Sequence, residues 1–209
     1  MKNILIITAS FLFISCSSED SREGALVSAQ KIPEITVNEY IYTLGEVTIK
    51  WTAFKHSAKA QVGGKFKSAE VKGFTESTSL STAISGVTFN IPVSSTSTND
   101  EVRDYKIVNS FFNTMVDTDS ISGKILSIDE NGSGKLVINM NGQEVEKKYK
   151  WEMDQSSKEI YIKTSIDVLN WGAKSSLDAL NEVCLEQHTG PDGQNVLWPN
   201  VDITVIVDL

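Results

Sequence analysis

The sequence predicts an all-β fold of eight antiparallel strands with two short helices. Three observations carry this. Apolar residues recur at every second position in successive runs, the period of a half-buried strand. Turn-forming residues separate the runs. No strand–helix–strand unit repeats, as a parallel sheet would require. Such a set closes as an up-and-down barrel or packs as a sandwich.

The strands follow in order. Val47, Ile49, Trp51 and Ala53 alternate with polar residues and mark a strand over 46–55. Gly63 and Gly64 open a second over 64–73, and Gly86 opens a third over 86–94, with Val87, Phe89, Ile91 and Val93 on one face. A fourth is read over 120–129, and Leu136, Ile138 and Met140 define a fifth over 134–141. Tyr149, Trp151 and Met153 share a face of 143–154, and Ile160, Ile162 and Ile166 a face of 159–168. Val201, Ile203, Val205 and Val207 make the last strand, 201–209. Asn141-Gly142 is the strongest hairpin signal, since both central residues of a type I′ turn need positive φ. Two segments break the period of two. Thr98 and Glu101 read as a capping box before a helix over 100–112, and Leu177, Leu180 and Cys184 share one face of a helix over 175–185. The stretches 75–82 and 188–193 read as loops.

Composition bounds the function. The 209 residues are 40% hydrophobic and 22% charged, a globular balance with enough chain for one core. Against 27 acidic residues stand 19 Lys and Arg, a formal charge of −8. That argues against a nucleic-acid partner and against a polybasic membrane reader. Two cysteines and two histidines exclude a disulfide scaffold and a Cys-rich zinc fold, and no metal site is expected. No nucleophile elbow, phosphate loop or dinucleotide fingerprint is present. Cys184 and His188 are four apart, but Gly190-Pro191 follows at once and places His188 past a helix end, with Cys184 on an apolar face. A His56, His188 and Asp192 cluster has no ligand spacing, and Asp117, Asp119, Asp129 and Glu130 read as solvated carboxylates. The expectation is a protein that is not an enzyme and needs no catalytic cofactor.

The first segment reads as an address. Lys2 precedes an apolar run over 4–14 that is too short to span a bilayer. It ends in Ser15-Cys16, which resembles the lipobox of bacterial lipoproteins. The expected organisation is a signal peptide over 1–15, a lipid-bearing Cys16 with a flexible tether over 16–38, and a β domain over 39–209. The acidic tether resembles that of Bacteroidetes surface lipoproteins. The expected location is the cell envelope, at the outer membrane, facing periplasm or cell surface, with the lipid as the membrane anchor.

Several fragments, in order, resemble the YceI-like family of polyisoprenoid-binding proteins, in its Bacteroidetes lipoprotein branch. They are Trp51-Thr52-Ala53-Phe54-Lys55 with Val62-Gly63-Gly64-Lys65-Phe66, then Thr98-Asn99, Arg103-Asp104 and Phe111-Phe112-Asn113. The hairpin at 136–142, Asp167 to Gly172, and Cys184 to Ile203 complete the set. Val137 and Asn139 depart from the Leu and Thr of many members, and Trp171 stands for Phe. The resemblance implies a lipocalin-like eight-stranded barrel that holds a long-chain isoprenoid, such as a quinone or polyprenyl carrier, in its lumen. Candidate lumen residues are Trp51, Phe54, Phe66, Phe89, Phe111, Phe112, Trp151 and Trp171, with Arg103 as head-group candidate. Phe111 and Phe112, adjacent on a helix, are expected to point to different sides. The other readings are a filled barrel acting as a surface interaction module, and an enzyme with His56, Cys184 or His188 in a cleft. Oligomeric state is left open.

Overall fold

The computed structural model describes residues 40–209; the signal at 1–15, Cys16 and the tether at 16–38 lie outside the described residues. One antiparallel sheet dominates. Its strands are β1 (Val47–Lys55), β2 (Ala60–Phe66), β3 (Glu70–Lys72), β4 (Thr88–Pro92), β5 (Thr96–Ser97), β6 (Ser120–Asp129), β7 (Ser133–Met140), β8 (Gln143–Asp154), β9 (Glu159–Asp167) and β10 (Leu197–Asp208). They lie in the order β3-β4-β6-β7-β8-β9-β10-β1-β2-β5. The helices are α1 (Leu80–Ile84), α2 (Glu101–Ser110), α3 (Lys174–Val183) and α4 (Leu185–His188).

The all-β antiparallel reading holds, with ten strands in place of eight. The expected strand 64–73 is broken after Phe66 into β2 and β3. β5 is two residues long and too short to show a period, yet Lys65 and Phe66 pair with Ser97 and Thr96. The sheet has two edges, β3 and β5, and curls into a half-barrel. Its curvature is evident from one interior cavity lined by side chains of eight strands, which a flat sheet cannot provide. At the seam, β4 continues into β5 through a tight turn at Val93–Ser95, and Lys67 N–H donates to the Ser95 carbonyl at 2.8 Å.

Local sequence explains the walls. Leu136, Ile138 and Met140 of β7 are buried, while Lys135 before them is exposed and Val137 and Asn139 between them are half-buried. In β6 the spacing changes: Ile125 and Ile128 are both buried although three apart. A register shift between Ile125 and Ser127 accounts for it, because a bulge advances the strand by one residue and restores the inward face. The β7–β8 turn has φ of 51° at Asn141 and 65° at Gly142, the positive values that the Asn-Gly pair supplies.

Two large aromatics lie flat against the sheet because a glycine faces each across the ladder. Trp51 of β1 pairs with Gly64 of β2, and Phe89 of β4 with Gly123 of β6. A Cβ on Gly64 would stand 2.2 Å from the Trp51 ring, and one on Gly123 would stand 2.4 Å from the Phe89 ring. Side chains of this size would otherwise stand up from the sheet and fill the interior.

Three helix expectations are revised. Asp100, not Thr98, caps α2, its carboxylate accepting from the Arg103 N–H at 3.0 Å. The stretch read as a loop over 75–82 contains the start of α1, capped by Ser79. His188 is not past a helix end but closes the single turn of α4.

Candidate functional site

The half-barrel encloses a path of three cavities. The deepest, about 160 Å³, is walled by aliphatic side chains such as Ile138, Ile162 and Val205, with Phe66, Phe89 and Trp51; Thr164 alone brings a polar side chain. The middle one, about 120 Å³, lies beneath α2 and α3 and is lined by Ile107, Phe111, Phe112 and Leu177. The mouth, about 430 Å³, is mixed: Phe54, Val102 and Leu180 share it with Lys55, Arg103, Lys106, Gln187 and His188. Deep and middle cavities share six residues, Phe66 and Met140 among them, and middle and mouth share five, Ile107 and Leu180 among them. Trp51 alone borders all three.

The sequence-selected aromatics divide into three groups. Trp51, Phe66, Phe89, Phe111 and Phe112 line the inner path, and Phe54 lines the mouth. Trp151 and Trp171 border none of these three cavities. The Trp151 indole N–H points at the carbonyls of Asp129 and Ser133, at 3.0 and 3.2 Å. Trp171 is fully buried, and its indole N–H donates to the Ile138 carbonyl at 3.0 Å. Both rings are held by a polar tip at the sheet backbone. Phe111 and Phe112 do not diverge: both are buried, with ring centroids 5.1 Å apart. The reason is that α2 ends at Ser110 and a tighter turn begins at Phe112, which rotates the second ring inward.

The Arg103 and Asp104 pair also separates. Asp104 accepts from the Thr98 N–H at 2.7 Å and from its hydroxyl at 2.6 Å, so it fastens α2 to the end of β5. Arg103 stays at the mouth, 3.3 Å from Asp100. Lys55 brings its ammonium group to the Gln187 carbonyl at 2.8 Å. With Lys106, these side chains make the mouth locally cationic on a chain of net charge −8.

Of the residues of the enzyme readings, Cys184 and His188 both line the mouth with Asp100, but among the described residues no side-chain hydrogen bond joins them. His56 Nε2 donates to the Gln187 carbonyl at 3.0 Å, and Asp192 accepts from the Ser57 hydroxyl at 2.6 Å. His188 Nδ1 meets Asn181 Oδ1 at 2.8 Å rather than Cys184. Burial, and then the nearby Lys55, His56 and Lys106, push His188 down from its ordinary value of 6.5 to about 4. The ring is therefore neutral near pH 7. Among the described residues, no three His, Cys, Asp or Glu side chains gather to hold a metal. Sequence reasoning missed the mouth residues Lys55, Lys106 and Gln187 and the surroundings of His188, because no motif marks them.

No family model matches the sequence, and no curated protein is matched by it. The fold has solved counterparts. A polyisoprenoid binding domain from Saccharophagus degradans, implicated in plant cell wall breakdown, superposes with a TM-score of 0.54 at 10% identity, over 77% of this chain and 91% of that one. BcnA of Burkholderia cenocepacia gives 0.52 at 9% identity, over 77% and 94%. The YceI protein of Campylobacter jejuni gives 0.43 at 14% identity, over 59% and 78%. The fold of the described residues is thus that of the polyisoprenoid binding domain.

Proposed function

We propose that this chain is a YceI-like binding protein that holds the apolar chain of an isoprenoid in its lumen and performs no chemistry on it. The observation that carries the reading is the path itself: apolar at depth except for Thr164, whose hydroxyl donates to the Lys148 carbonyl, aromatic in the middle, and charged only at the mouth. Burying apolar ligand surface contributes about 25 cal/mol per Å², and a hydrocarbon tail leaves no polar group unsatisfied in such a lumen. The name of the Saccharophagus domain points to the same ligand class.

Volume bounds the fit. An apolar cavity of about 150 Å³ holds one benzene molecule. The deep and middle cavities, about 160 and 120 Å³, therefore take roughly one isoprene unit each as they stand. A longer chain needs side chains such as Phe66 and Met140 to change rotamer, or leaves its remaining units in the mouth. Arg103, which lines the mouth, is the residue that would meet a head group there. Lipid on Cys16 would tether the domain to the envelope, at the outer membrane, facing periplasm or cell surface, and keep it beside the membrane that supplies its ligand.

Quinones quench indole fluorescence, and Trp51 borders the whole path. Titration with an isoprenoid quinone should give saturable quenching at one quinone per chain, weakened in Trp51→Phe. Quenching that rises without saturation and ignores Trp51 would refute the reading.

A further inference from the structure

We infer that His188 Nε2 is a hydrogen-bond acceptor built into the mouth cavity, and that it recognises a hydroxyl group, an alcohol or a phenol, at the end of the apolar ligand. The inference rests on the apolar-ligand reading and specifies its polar end.

A line of hydrogen bonds leads to His188 from a group whose role is fixed. The Leu185 carbonyl can only accept, and Asn195 Nδ2 reaches it at 3.1 Å. Asn195 Oδ1 is thereby turned toward Asn181, whose Nδ2 donates to it at 2.5 Å. Asn181 Oδ1 is then an acceptor, and it lies 2.8 Å from His188 Nδ1. Turning either amide over would set oxygen against oxygen or nitrogen against nitrogen along this line. His188 Nδ1 must therefore carry the proton and donate it. In the neutral ring the lone pair is left on Nε2.

That lone pair has no partner among the described residues, although the His188 side chain belongs to a residue only 8% exposed. Nor is it sealed in. Ser176 Oγ is the one buried side-chain polar atom of the described residues that lacks both partner and solvent access, so Nε2 keeps some access to solvent, and His188 is a residue of the mouth lining. Around it stand Lys55 of β1, His56 beyond it, and Arg103 and Lys106 of α2, with Asp100 ahead of that helix. Among these, Lys55 and His56 are engaged by the Gln187 carbonyl, and Arg103 by Asp100. Burial, and then Lys55, His56 and Lys106, disfavour a proton on His188, which keeps Nε2 an acceptor. A fixed acceptor at the polar end of an apolar path calls for a donor on the ligand, which an ether, an ester or a quinone carbonyl does not have.

The test compares geranylgeraniol with its methyl ether, which keeps the chain and removes the donor, on the full-length protein. Wild type should bind the alcohol roughly five- to tenfold more tightly, the worth of one neutral hydrogen bond. In His188→Leu the preference should vanish while ether affinity holds, and His188→Gln, which keeps an acceptor, should restore part of it. Equal binding of the two probes by wild type would overturn the inference and leave the apolar-ligand reading standing. Failure of both probes to bind would overturn both. Nitrogen NMR of the wild-type ring checks the same point without a variant. A proton on Nδ1, with an Nε2 resonance that moves on adding the alcohol and not the ether, supports the assignment. A proton on Nε2 overturns it.

Discussion

Replacing Gly64 with alanine tests how the lumen is kept open. The new Cβ would lie 2.2, 2.6 and 2.8 Å from three carbons of the Trp51 indole, where ordinary contact begins at 3.4 Å. The ring has to retreat by about 1.2 Å. Strand β2 lies behind it, so the direction left is toward the cavities. Overpacking of this kind costs about 1–3 kcal/mol, which lowers Tm by roughly 2–12 °C for a chain of this size. Binding should weaken too, because Trp51 borders all three cavities. Losing one methylene of buried ligand surface is worth about 0.8 kcal/mol, or about fourfold in affinity. The control is its neighbour. A Cβ on Gly63 would meet only the Trp51 carbonyl at 3.9 Å, so Gly63→Ala should be neutral or slightly stabilising. Pairing Gly64→Ala with Trp51→Leu should recover the overpacking loss, giving a coupling of about 1–3 kcal/mol in a double-mutant cycle. Thermal melts and quinone titrations on the wild type and the four variants give the answer. A Gly64→Ala protein as stable and as avid as Gly63→Ala would refute the reasoning.

Three further outcomes are expected. Because His188 is depressed to about 4, the unfolded chain takes up a proton between pH 6.5 and about 4 that the folded chain refuses. Stability present above pH 6.5 should then be lost as pH falls through that window; the full shift is worth roughly 3 kcal/mol, and water in the mouth screens it to about 1–2 kcal/mol. The loss should shrink in His188→Gln when melts near neutrality and near about pH 4.5 are compared. Asp104→Ala removes both bonds from Thr98 and should cost about 1–3 kcal/mol in a denaturant melt, with earlier hydrogen exchange in α2. Trp171→Phe removes the buried bond to Ile138 and should cost a similar amount, about 1–3 kcal/mol, while leaving quinone affinity unchanged, because Trp171 lies outside the three cavities.

The walls of the lumen were legible because burial on one face imposes a period of two. Leu136, Ile138 and Met140 announce β7, and Val201 to Val207 announce β10. What broke that period was hidden. The bulge in β6 looks like a lapse in alternation until its pairing with β7 is seen. β5 exists only because β2 offers it an edge. Aromatic residues drew attention as lumen candidates, yet the deepest cavity is mostly aliphatic, and Trp151 and Trp171 serve the wall. The mouth was the least legible part. It depends on Asn181, His188 and Asn195 meeting around the carbonyl of Leu185, and none of these spacings is a motif.

Native mass spectrometry of the Cys16→Ser protein, purified from a bacterial host, tests lumen binding most directly, since its own acyl groups cannot then be mistaken for ligand. One isoprenoid per chain, released by organic extraction and taken up again as added quinone, is the expected result. A protein that emerges empty and stays empty after quinone is added would contradict it.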